Sequence, residues 1–521
     1  MDATIERGIC MKINVDEVRT QLSSENTQIS TAMSSTYEMA PALDEYMGNS
    51  MLQGETYDSF CDMFNSVTKP LIKAILCMLE AKYEGNAMYS RALEQNLAGM
   101  GKVNDSVLRN VVEVTEKKIT DLRSNSFVET IASPCIGVLE KLISSSQEKL
   151  DKIDAFIAQT NGCYDEFDTR NSLVLQAINC ARNISFNTTS GQISGMNATG
   201  YDWAREVNDY YTLKTHEAIK EQYGDYYKDN RDDFYKIKQV VDYERFNKGD
   251  IDKVNKFLGG LETKDIIGIK AVAYAADPAY RKLWLKYLDK YKVEVDKESG
   301  AYYTNKADKI VVNPEKYRGE KYHTFFHECG HAIDYYASVE NGGKKYFSET
   351  YIGEDGQTLD QAIVGDVKAF IGAQVATSIA GGGYNMSASE SNEVTENIIN
   401  NIMSGGETQL TATEEKIADE VKMTFSKNAY GRRNSLASDV YSGVTDYELL
   451  GSYSHENSAD SAGTYWLYND GTRRRNPSTE YVADYFGYAM TNNAGGMQSV
   501  ETYLGDSKEV MESMIGAMGN K

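Results

Sequence analysis

The chain has 521 residues, of which 54 are Lys or Arg and 77 are Asp or Glu, so its formal net charge is −23. With 41% hydrophobic and 25% charged residues, it has the composition of a soluble globular protein of two or three domains. The acidic balance argues against a nucleic-acid partner, because sequence-independent binding needs a basic footprint, and against docking on anionic lipid.

The sequence predicts neither a cleaved leader nor a membrane span. Residues 1–20 lack the apolar core of a secretory signal peptide. No window reaches the ~18 apolar residues that a spanning helix requires, and the nearest candidate, 369–380, is short. We expect synthesis in the cytoplasm, starting at Met1 or Met11, and any export must use a route that does not read a cleaved leader.

Seven cysteines are scattered along the chain without a C-x-x-C pair, which argues against a disulfide framework and against a structural zinc ribbon. We expect all of them to be buried and reduced, as is usual for Cys. They are Cys10, Cys61, Cys77, Cys135, Cys163, Cys180 and Cys329.

Residues 12–160 show helical spacing throughout. Apolar side chains recur at intervals of three, four or seven, which places each stripe on one helix face and predicts helices packed against one another. Pro70 is expected either to kink the second helix or to mark a new helix start after Thr68. The stripes are Val15, Val18, Leu22, Ile29, Met33 and Tyr37; Tyr57, Phe60, Phe64, Val67, Leu71, Ile75 and Met78; and Leu139, Leu142, Leu150, Ile153 and Ile157.

A short motif separates the first two predicted helices. The tripeptide LQG at 52–54 follows one long helix and precedes the aromatic residues Tyr57 and Phe60. This arrangement resembles the LXG domain, the amino-terminal module of toxins exported by bacterial type VII secretion systems. The resemblance covers residues 11–200 and implies an elongated helical stalk that pairs with small helical secretion partners. For a toxin of this class it also implies a cognate immunity protein.

A polar segment follows the helices. Residues 183–200 carry Asn, Ser, Thr and Gly with almost no apolar periodicity, which predicts a linker and a domain boundary. Residues 201–295 are polar, rich in Tyr and helical, and we interpret them as a spacer or as an auxiliary part of the domain that follows. The predicted fold is mainly α with a small α+β part.

Three of the five histidines lie within nine positions. His327 and His331 frame the sequence HECGH, and histidines four apart on a helix can share one zinc ion, while Glu328 reaches a water molecule at the metal. Zinc acidifies such a water, so a nearby carboxylate can take its proton at neutral pH. His323 is also four residues from His327, but only the pair ending at His331 places Glu328 correctly. His323 is then an outer support or an exposed bystander, and a helix with a merely hydrogen-bonded His pair is the alternative.

A catalytic zinc site needs a third protein ligand and an open fourth position. The best candidate lies within 476–490, where Pro477 and Ser478 predict a helix start with Ser478 as the N-cap. Glu480 and Asp484 share one face of that helix. Glu480 would coordinate the zinc, and Asp484 would accept a hydrogen bond from a ligand histidine and fix its tautomer. The alternative is a helix with two solvated carboxylates.

Two short strands are predicted upstream of the histidines. Residues 301–304 and 309–312 flank the turn sequence NKAD at 305–308. A strand edge beside a zinc helix could bind an extended peptide by backbone pairing, which suits a peptidase. Alternatively, the hairpin only covers the core.

Together these parts resemble the gluzincin metallopeptidases, and within them the anthrax lethal factor-like toxin domains. The shared features are the YYTNKADKIVVN hairpin, the HECGHAID motif and a late helix of the E-x-x-A-[DE]-x-F type. The resemblance spans residues 296–521. It implies His327, His331 and Glu480 as zinc ligands and Glu328 as the general base.

The chain departs from this family in two places. Residues 335–450 separate the two helices by more than in compact members, and we interpret this insertion as a lid or a specificity loop. The G-H…Y-W segment of related domains appears as Ser454-His455 and Tyr465-Trp466, with Ser in place of Gly and a longer spacer. Tyr465, or alternatively His455, could donate a hydrogen bond to the oxyanion formed during hydrolysis. The other interpretation is a Tyr-Trp pair that only packs.

The sequence therefore predicts a secreted antibacterial toxin that is exported by type VII secretion and acts as a zinc-dependent endopeptidase on proteins or peptides. Its predicted parts are an LXG-like export domain at 11–200, a spacer at 201–295 and a zincin-like domain at 296–521. One alternative is a secreted metallopeptidase without a toxic role. Another is a non-enzymatic surface or assembly protein with a vestigial HExxH motif.

Overall fold

The computed structural model describes residues 11–48, 52–124, 126–187, 190, 192–194, 202–298, 300–318, 321–354, 356–429, 431, 434–456 and 458–519. The chain forms two compact units. The N-terminal unit comprises Met1–Asp225 and Val241–Gly249, and the C-terminal unit comprises Tyr226–Val240 and Asp250–Lys521.

The described residues are mainly helical with small sheets, which confirms the predicted fold class. The helices are α1 (Val15–Met47), α2 (Glu55–Met63), α3 (Lys69–Leu97), α4 (Asp105–Arg123), α5 (Ser126–Thr160), α6 (Asp165–Arg182), α7 (Asp202–Asp229), α8 (Phe234–Phe246), α9 (Ile251–Leu258), α10 (Thr263–Ala275), α11 (Pro278–Tyr287), α12 (Pro314–Tyr317), α13 (His323–Glu340), α14 (Leu359–Gly381), α15 (Ala388–Met403), α16 (Ala412–Asn428), α17 (Ser435–Val444), α18 (Pro477–Met490), α19 (Ala494–Tyr503) and α20 (Gly505–Gly519). The strands are β1 (Lys12–Asn14), β2 (Lys102–Asn104), β3 (Ser185–Phe186), β4 (Ile193–Ser194), β5 (Lys292–Val295), β6 (Tyr302–Thr304) and β7 (Lys309–Val312).

The predicted stripes account for much of the core of the N-terminal unit. Val15 on α1 belongs to one buried cluster with Leu150 and Ile153 on α5, as helix–helix packing requires. The stripe on α5 is not buried along its whole length, because Leu142 and Ile157 are 46% and 45% exposed. Packing therefore follows the predicted faces in part and stops where no neighbouring helix covers them.

Pro70 lies within an uninterrupted run of helix. A π-helix at Phe64–Thr68 connects α2 with α3, and Thr68 and Lys69 both have right-handed helical backbone angles. A π-helical turn is a usual place for the irregularity that a proline causes in a helix. The predicted start after Thr68 therefore coincides with the boundary of α3, but the chain stays helical across that boundary.

The predicted linker contains a small hairpin. Strands β3 and β4 pair antiparallel within 183–200. The division between the units falls later, at Asp225 and Tyr226 inside α7. The segment 201–295 consequently contributes residues to both units.

A three-stranded sheet opens the part of the C-terminal unit that carries the predicted site. The predicted hairpin is present, since β6 pairs antiparallel with β7, with Tyr303 opposite Ile310. Strand β5 was not predicted; it pairs in parallel with β7 and gives the order β5-β7-β6. Strand β6 is therefore an edge strand of this sheet.

Of the two interpretations of 335–450, the specificity loop is wrong, because the segment contains α14, α15, α16 and α17, and the lid stays a prediction. Three of these helices begin with a capping box, in which a Ser or Thr and a Glu or Gln three residues later satisfy each other's backbone N–H groups. The pairs are Thr358 with Gln361, Ser387 with Glu390, and Thr411 with Glu414.

Helix α14 differs from the prediction that no segment could span a membrane. Among the described residues it alone has the length and composition of a span, with a mean hydropathy of 1.3 over its best window. Its side chains Ile363, Val367 and Ile371 are nevertheless fully buried within the C-terminal unit. Only 28% of its most apolar 18 residues are buried, so core packing accounts for part of its apolar composition.

The six described cysteines are not uniformly buried. No disulfide links the six that the structure describes. Cys77, Cys163 and Cys329 are buried as expected, whereas Cys135 is exposed, so the prediction of burial is wrong for that residue. Cys10 lies outside the described residues.

Candidate metal centre

The site lies where α13 and α18 cross at close range. A Cβ added to Gly330 on α13 would come within 2.8 Å of the Ala483 Cα on α18. A Cβ added to Gly487 on α18 would come within 2.6 Å of the His323 ring. The two glycines let the helices approach almost backbone to backbone, running antiparallel, so that residues four apart on one helix face residues four apart on the other.

Three predicted ligands converge at this crossing. Glu480 Oε2 lies 3.5 Å from His327 Nε2 and 3.3 Å from His331 Nε2. These donor atoms all lie within 4.8 Å of one another and could hold a metal ion. Glu480 is only 2% exposed, so the alternative of a solvated carboxylate is wrong. We call His327, His331 and Glu480 the metal centre.

Asp484 supports the metal centre from one turn further along α18. Its Oδ1 lies 2.9 Å from His327 Nδ1, the contact expected of a residue that fixes the histidine tautomer and leaves Nε2 free for a metal. The same oxygen lies 3.4 Å from His323 Nε2. The ligand atoms of His323, His327 and Asp484 also lie within 4.8 Å of one another and could hold a metal ion. His323 is partly buried between Asp484 and Tyr488 and is therefore no exposed bystander.

The start of α18 differs from the prediction by two residues. The N-cap is Asn476 and not Ser478, because Pro477 occupies the first helical turn, where its lack of an N–H is harmless. Asn476 donates through Nδ2 to Glu349 Oε1 at 2.7 Å, and the Ser478 N–H donates to Asp360 Oδ1 at 3.1 Å. Neighbouring segments thus hold the amino-terminal end of the helix that carries Glu480.

Opposite charges interact strongly at the metal centre. Burial alone would lower the pKa of His327, but the carboxylates of Asp484 and Glu480 raise it well above its usual value. Burial alone would raise the pKa of Glu480, but the imidazoles of His331 and His327 lower it well below its usual value. The same balance with His327 and His323 lowers the pKa of Asp484. Both acids are therefore held as carboxylates.

A cavity of about 470 Å³ opens onto the metal centre and is also lined by Tyr302 and Tyr303 from the edge strand β6. Glu328 lines it between the two ligand histidines and is 6% exposed. Burial raises the pKa of Glu328, although the positive charges of His327 and His331 oppose the shift. A carboxylate with a raised pKa beside a metal is suited to accept and return a proton.

Tyr465 and His455 occupy different positions at the cavity wall. The Tyr465 hydroxyl donates to Glu480 Oε1 at 2.6 Å, and its pKa is raised well above the usual value by burial and by Glu480. The His455 ring stacks on Tyr465 with centroids 3.8 Å apart, and its Nε2 lies 3.3 Å from the buried Asp439 Oδ1. Of the two candidates, Tyr465 has its polar group nearer to the metal centre.

Trp466 fits the packing interpretation. Its ring is completely buried, and its Nε1 donates to Ser442 Oγ at 3.2 Å. A Cβ on Gly443 would come within 2.9 Å of the indole, so the residue fills a tight slot beside α17. The pair Tyr465-Trp466 therefore combines one residue at the cavity with one in the core.

Sequence reasoning missed four residues of the site. Gly330 and Gly487 permit the close crossing of α13 and α18. The presence of a glycine on each of two predicted helices is the only sequence feature that could have indicated the crossing. Asp439 pairs with His455 across the fold, and Arg475 lies over the Tyr465 ring with its Cζ 4.0 Å from the centroid. Both contacts depend on tertiary structure. Arg475 is the last of three consecutive arginines, and the sequence does not indicate which of the three lies at the site.

No family model, curated protein or solved structure matches this chain. The resemblances to the LXG domain and to the gluzincins therefore stay predictions that depend on the motifs alone. The described residues themselves define a mainly helical protein in which two crossing helices form a group able to hold a metal ion at the wall of a cavity.

Proposed function

We propose that this protein is a zinc-dependent endopeptidase. The observation that carries the proposal is the convergence of His327 Nε2, His331 Nε2 and Glu480 Oε2 beside Glu328 in one cavity. Bonds of about 2.0–2.1 Å in tetrahedral geometry would separate neighbouring zinc ligands by about 3.3 Å. The separations from Glu480 Oε2 are 3.3 and 3.5 Å, which fit that requirement.

The residues at the cavity have complementary tasks in such a reaction. A zinc ion held there would polarise the scissile carbonyl and increase the acidity of a water molecule. Glu328 takes the proton from the attacking water and returns it to the leaving amine. The Tyr465 hydroxyl donates to Glu480 Oε1 in this structure, and it would turn its hydrogen from that carboxylate to the developing oxyanion. Asp484 keeps the His327 ring in one tautomer and orientation.

The edge strand supports a peptide as the substrate. In the part of the chain that the structure describes, β6 is an outer strand of its sheet, and its residues Tyr302 and Tyr303 line the cavity. An extended peptide that adds to β6 through backbone hydrogen bonds would run past Glu328. Backbone pairing does not require a chain end, which favours an endopeptidase.

The proposal extends to export and toxicity, with support from the sequence. The LQG motif precedes α2, and Gly54 has a φ of 115°, a conformation that side chains disfavour. Because the backbone at Gly54 favours glycine, the LQG motif indicates an LXG domain more strongly than its three letters alone. We infer from it type VII export with small helical partners and protection of the producing cell by an immunity protein.

Cleavage of casein and of a peptide library, read by mass spectrometry, tests the peptidase. The wild-type protein loaded with zinc should cleave, and Glu328→Gln should retain zinc but not cleave. Production of the same two proteins in a bacterium tests toxicity by growth. Arrest by the wild type alone favours the toxin, cleavage without arrest favours a secreted peptidase, and metal-free inactive protein favours the vestigial site.

A further inference from the structure

Arg475 brings a positive charge to the wall of the cavity. Its Cζ lies 4.0 Å above the Tyr465 ring, and its Nη1 lies 3.7 Å from Glu480 Oε1. The side chain is 44% exposed and lines the cavity. Among the described residues, Glu480 supplies the only carboxylate within 4 Å of this guanidinium.

The two preceding arginines already have hydrogen-bond partners. Arg474 donates to both carboxylate oxygens of Asp460, at 3.0 and 2.7 Å. Arg473 donates to the Gly443 carbonyl at 2.7 Å. Arg475 is thus the member of the run whose guanidinium faces the cavity without a carboxylate at hydrogen-bond distance.

The acidic residues that line the cavity have roles or partners other than Arg475. Glu480 faces both ligand histidines through Oε2, so a metal ion would take up most of its negative charge. Glu328 is the proposed base, and Glu349 accepts a hydrogen bond from Asn476. Among the described residues no carboxylate lies within hydrogen-bond distance of Arg475, so its guanidinium can pair with a carboxylate that enters the cavity.

We propose that Arg475 binds a carboxylate of the substrate next to the scissile bond and thereby selects acidic peptides. The inference rests on the proposed peptidase function. Successive Cα atoms are about 3.8 Å apart, so only residues flanking the cleaved bond can reach a guanidinium this close to Glu480. For an endopeptidase this carboxylate is an Asp or Glu side chain of the substrate, with which an arginine fork can pair.

The test uses full-length, zinc-loaded protein and one peptide series. Each peptide carries Glu, Gln or Lys at the two central positions and ends in either an amide or a free carboxylate. Cleavage by the wild type is read by mass spectrometry. Binding to the inactive Glu328→Gln protein is read by fluorescence anisotropy, so that affinity is measured without turnover. Both readouts are repeated with Arg475→Gln, Arg475→Lys and Lys345→Gln, the last removing an exposed charge that does not line the cavity.

We expect the Glu peptides to be bound and cleaved about tenfold to a hundredfold better than the Gln peptides, as for a charged hydrogen bond. Arg475→Gln should abolish this preference, Arg475→Lys should keep part of it, and Lys345→Gln should keep all of it. A preference for free over amidated ends that depends on Arg475 would instead assign Arg475 to the carboxyl terminus of the substrate and contradict the proposal of an acidic side chain beside the scissile bond.

Three further results overturn the inference: no preference in the wild type, a preference for Lys, or an equal loss for all peptides in Arg475→Gln. The last would assign Arg475 to the positioning of Tyr465. Binding that prefers Glu in the absence of any cleavage contradicts the peptidase and leaves the role of Arg475 supported, so the two claims fail separately.

Discussion

Two buried clusters of charge, one in each unit, differ in how fully they are satisfied. In the N-terminal unit, Arg245 donates to Glu80 Oε1 and Oε2 at 3.0 and 2.6 Å, and its Nη1 donates to Thr215 Oγ1 at 2.7 Å. In the C-terminal unit, the closest approach of Glu480 to a ligand histidine is 3.3 Å. The first cluster is closed by direct hydrogen bonds, whereas the second leaves room for an ion and opens to a cavity.

The difference indicates which cluster is structural and which is functional. A buried ion pair whose donors and acceptors are matched stabilises one conformation and binds nothing more. In the second cluster Asp484 is hydrogen-bonded to His327 Nδ1, but the two histidine Nε2 atoms stay 3.3 Å or more from Glu480 Oε2, so these three atoms remain available as ligands. Substitutions in the two clusters should therefore affect different properties of the protein.

The largest expected effect is on activity. Glu328→Gln removes the proposed base and should lower kcat/KM by about 10²–10⁴-fold, because the attacking water then keeps its proton. Zinc content and the far-UV circular dichroism spectrum should not change. Retained cleavage would contradict the assignment of the base.

The corresponding substitution in the Arg245–Glu80 cluster should lower stability and leave zinc binding unchanged. Arg245→Ala leaves Glu80 buried without its partner and should lower the free energy of unfolding by about 3–5 kcal/mol. Urea unfolding of the full chain measures this, and zinc binding provides the control. A loss of zinc with unchanged stability would reverse the roles assigned to the two clusters.

The helix crossing can be tested by adding a single methyl group. Gly330→Ala places a Cβ 2.8 Å from the Ala483 Cα, which is backbone and cannot turn aside, so we expect a loss of about 1–3 kcal/mol and weaker zinc binding. Gly365→Ala on α14 is the matched control, since its Cβ meets nothing within 4 Å. That control should be neutral or stabilise the protein by up to about 1 kcal/mol.

The last expected effect is on the pH dependence of stability, and it is the smallest when it is expressed per pH unit. Burial raises the pKa of Asp334 from 3.8 to about 7, although the Ser348 hydroxyl and N–H donate to its carboxylate. The folded state then holds a proton that the unfolded state has released, so stability falls as pH rises from about 4 to 7, by at most about 1.4 kcal/mol per pH unit. Asp334→Asn should flatten this slope in denaturant unfolding at pH 4 to 7. An unchanged slope would contradict the shift.

Local spacing predicted the parts of the site that lie on single helices. Residues four apart, such as His327 with His331 and Glu480 with Asp484, identify a shared face wherever the helix packs. The hairpin of β6 and β7 was likewise predictable, because its strands are joined by a short turn.

Contacts between distant segments were not predictable in this way. Strand β5 joins the sheet in parallel, and Asp439 reaches His455 only through the packing of α17. The sequence does contain a local signal for three of the helices within 335–450. The capping boxes at Thr358, Ser387 and Thr411 mark helix starts in the segment that was interpreted as a lid or a specificity loop.

The most direct test of the central claim is the metal content of the purified full-length protein together with anomalous diffraction at the zinc edge. We expect one zinc ion per chain, located between His327, His331 and Glu480, and its loss in His331→Ala and Glu480→Ala. Protein that binds no zinc at micromolar concentration, or zinc that lies elsewhere, would contradict the claim.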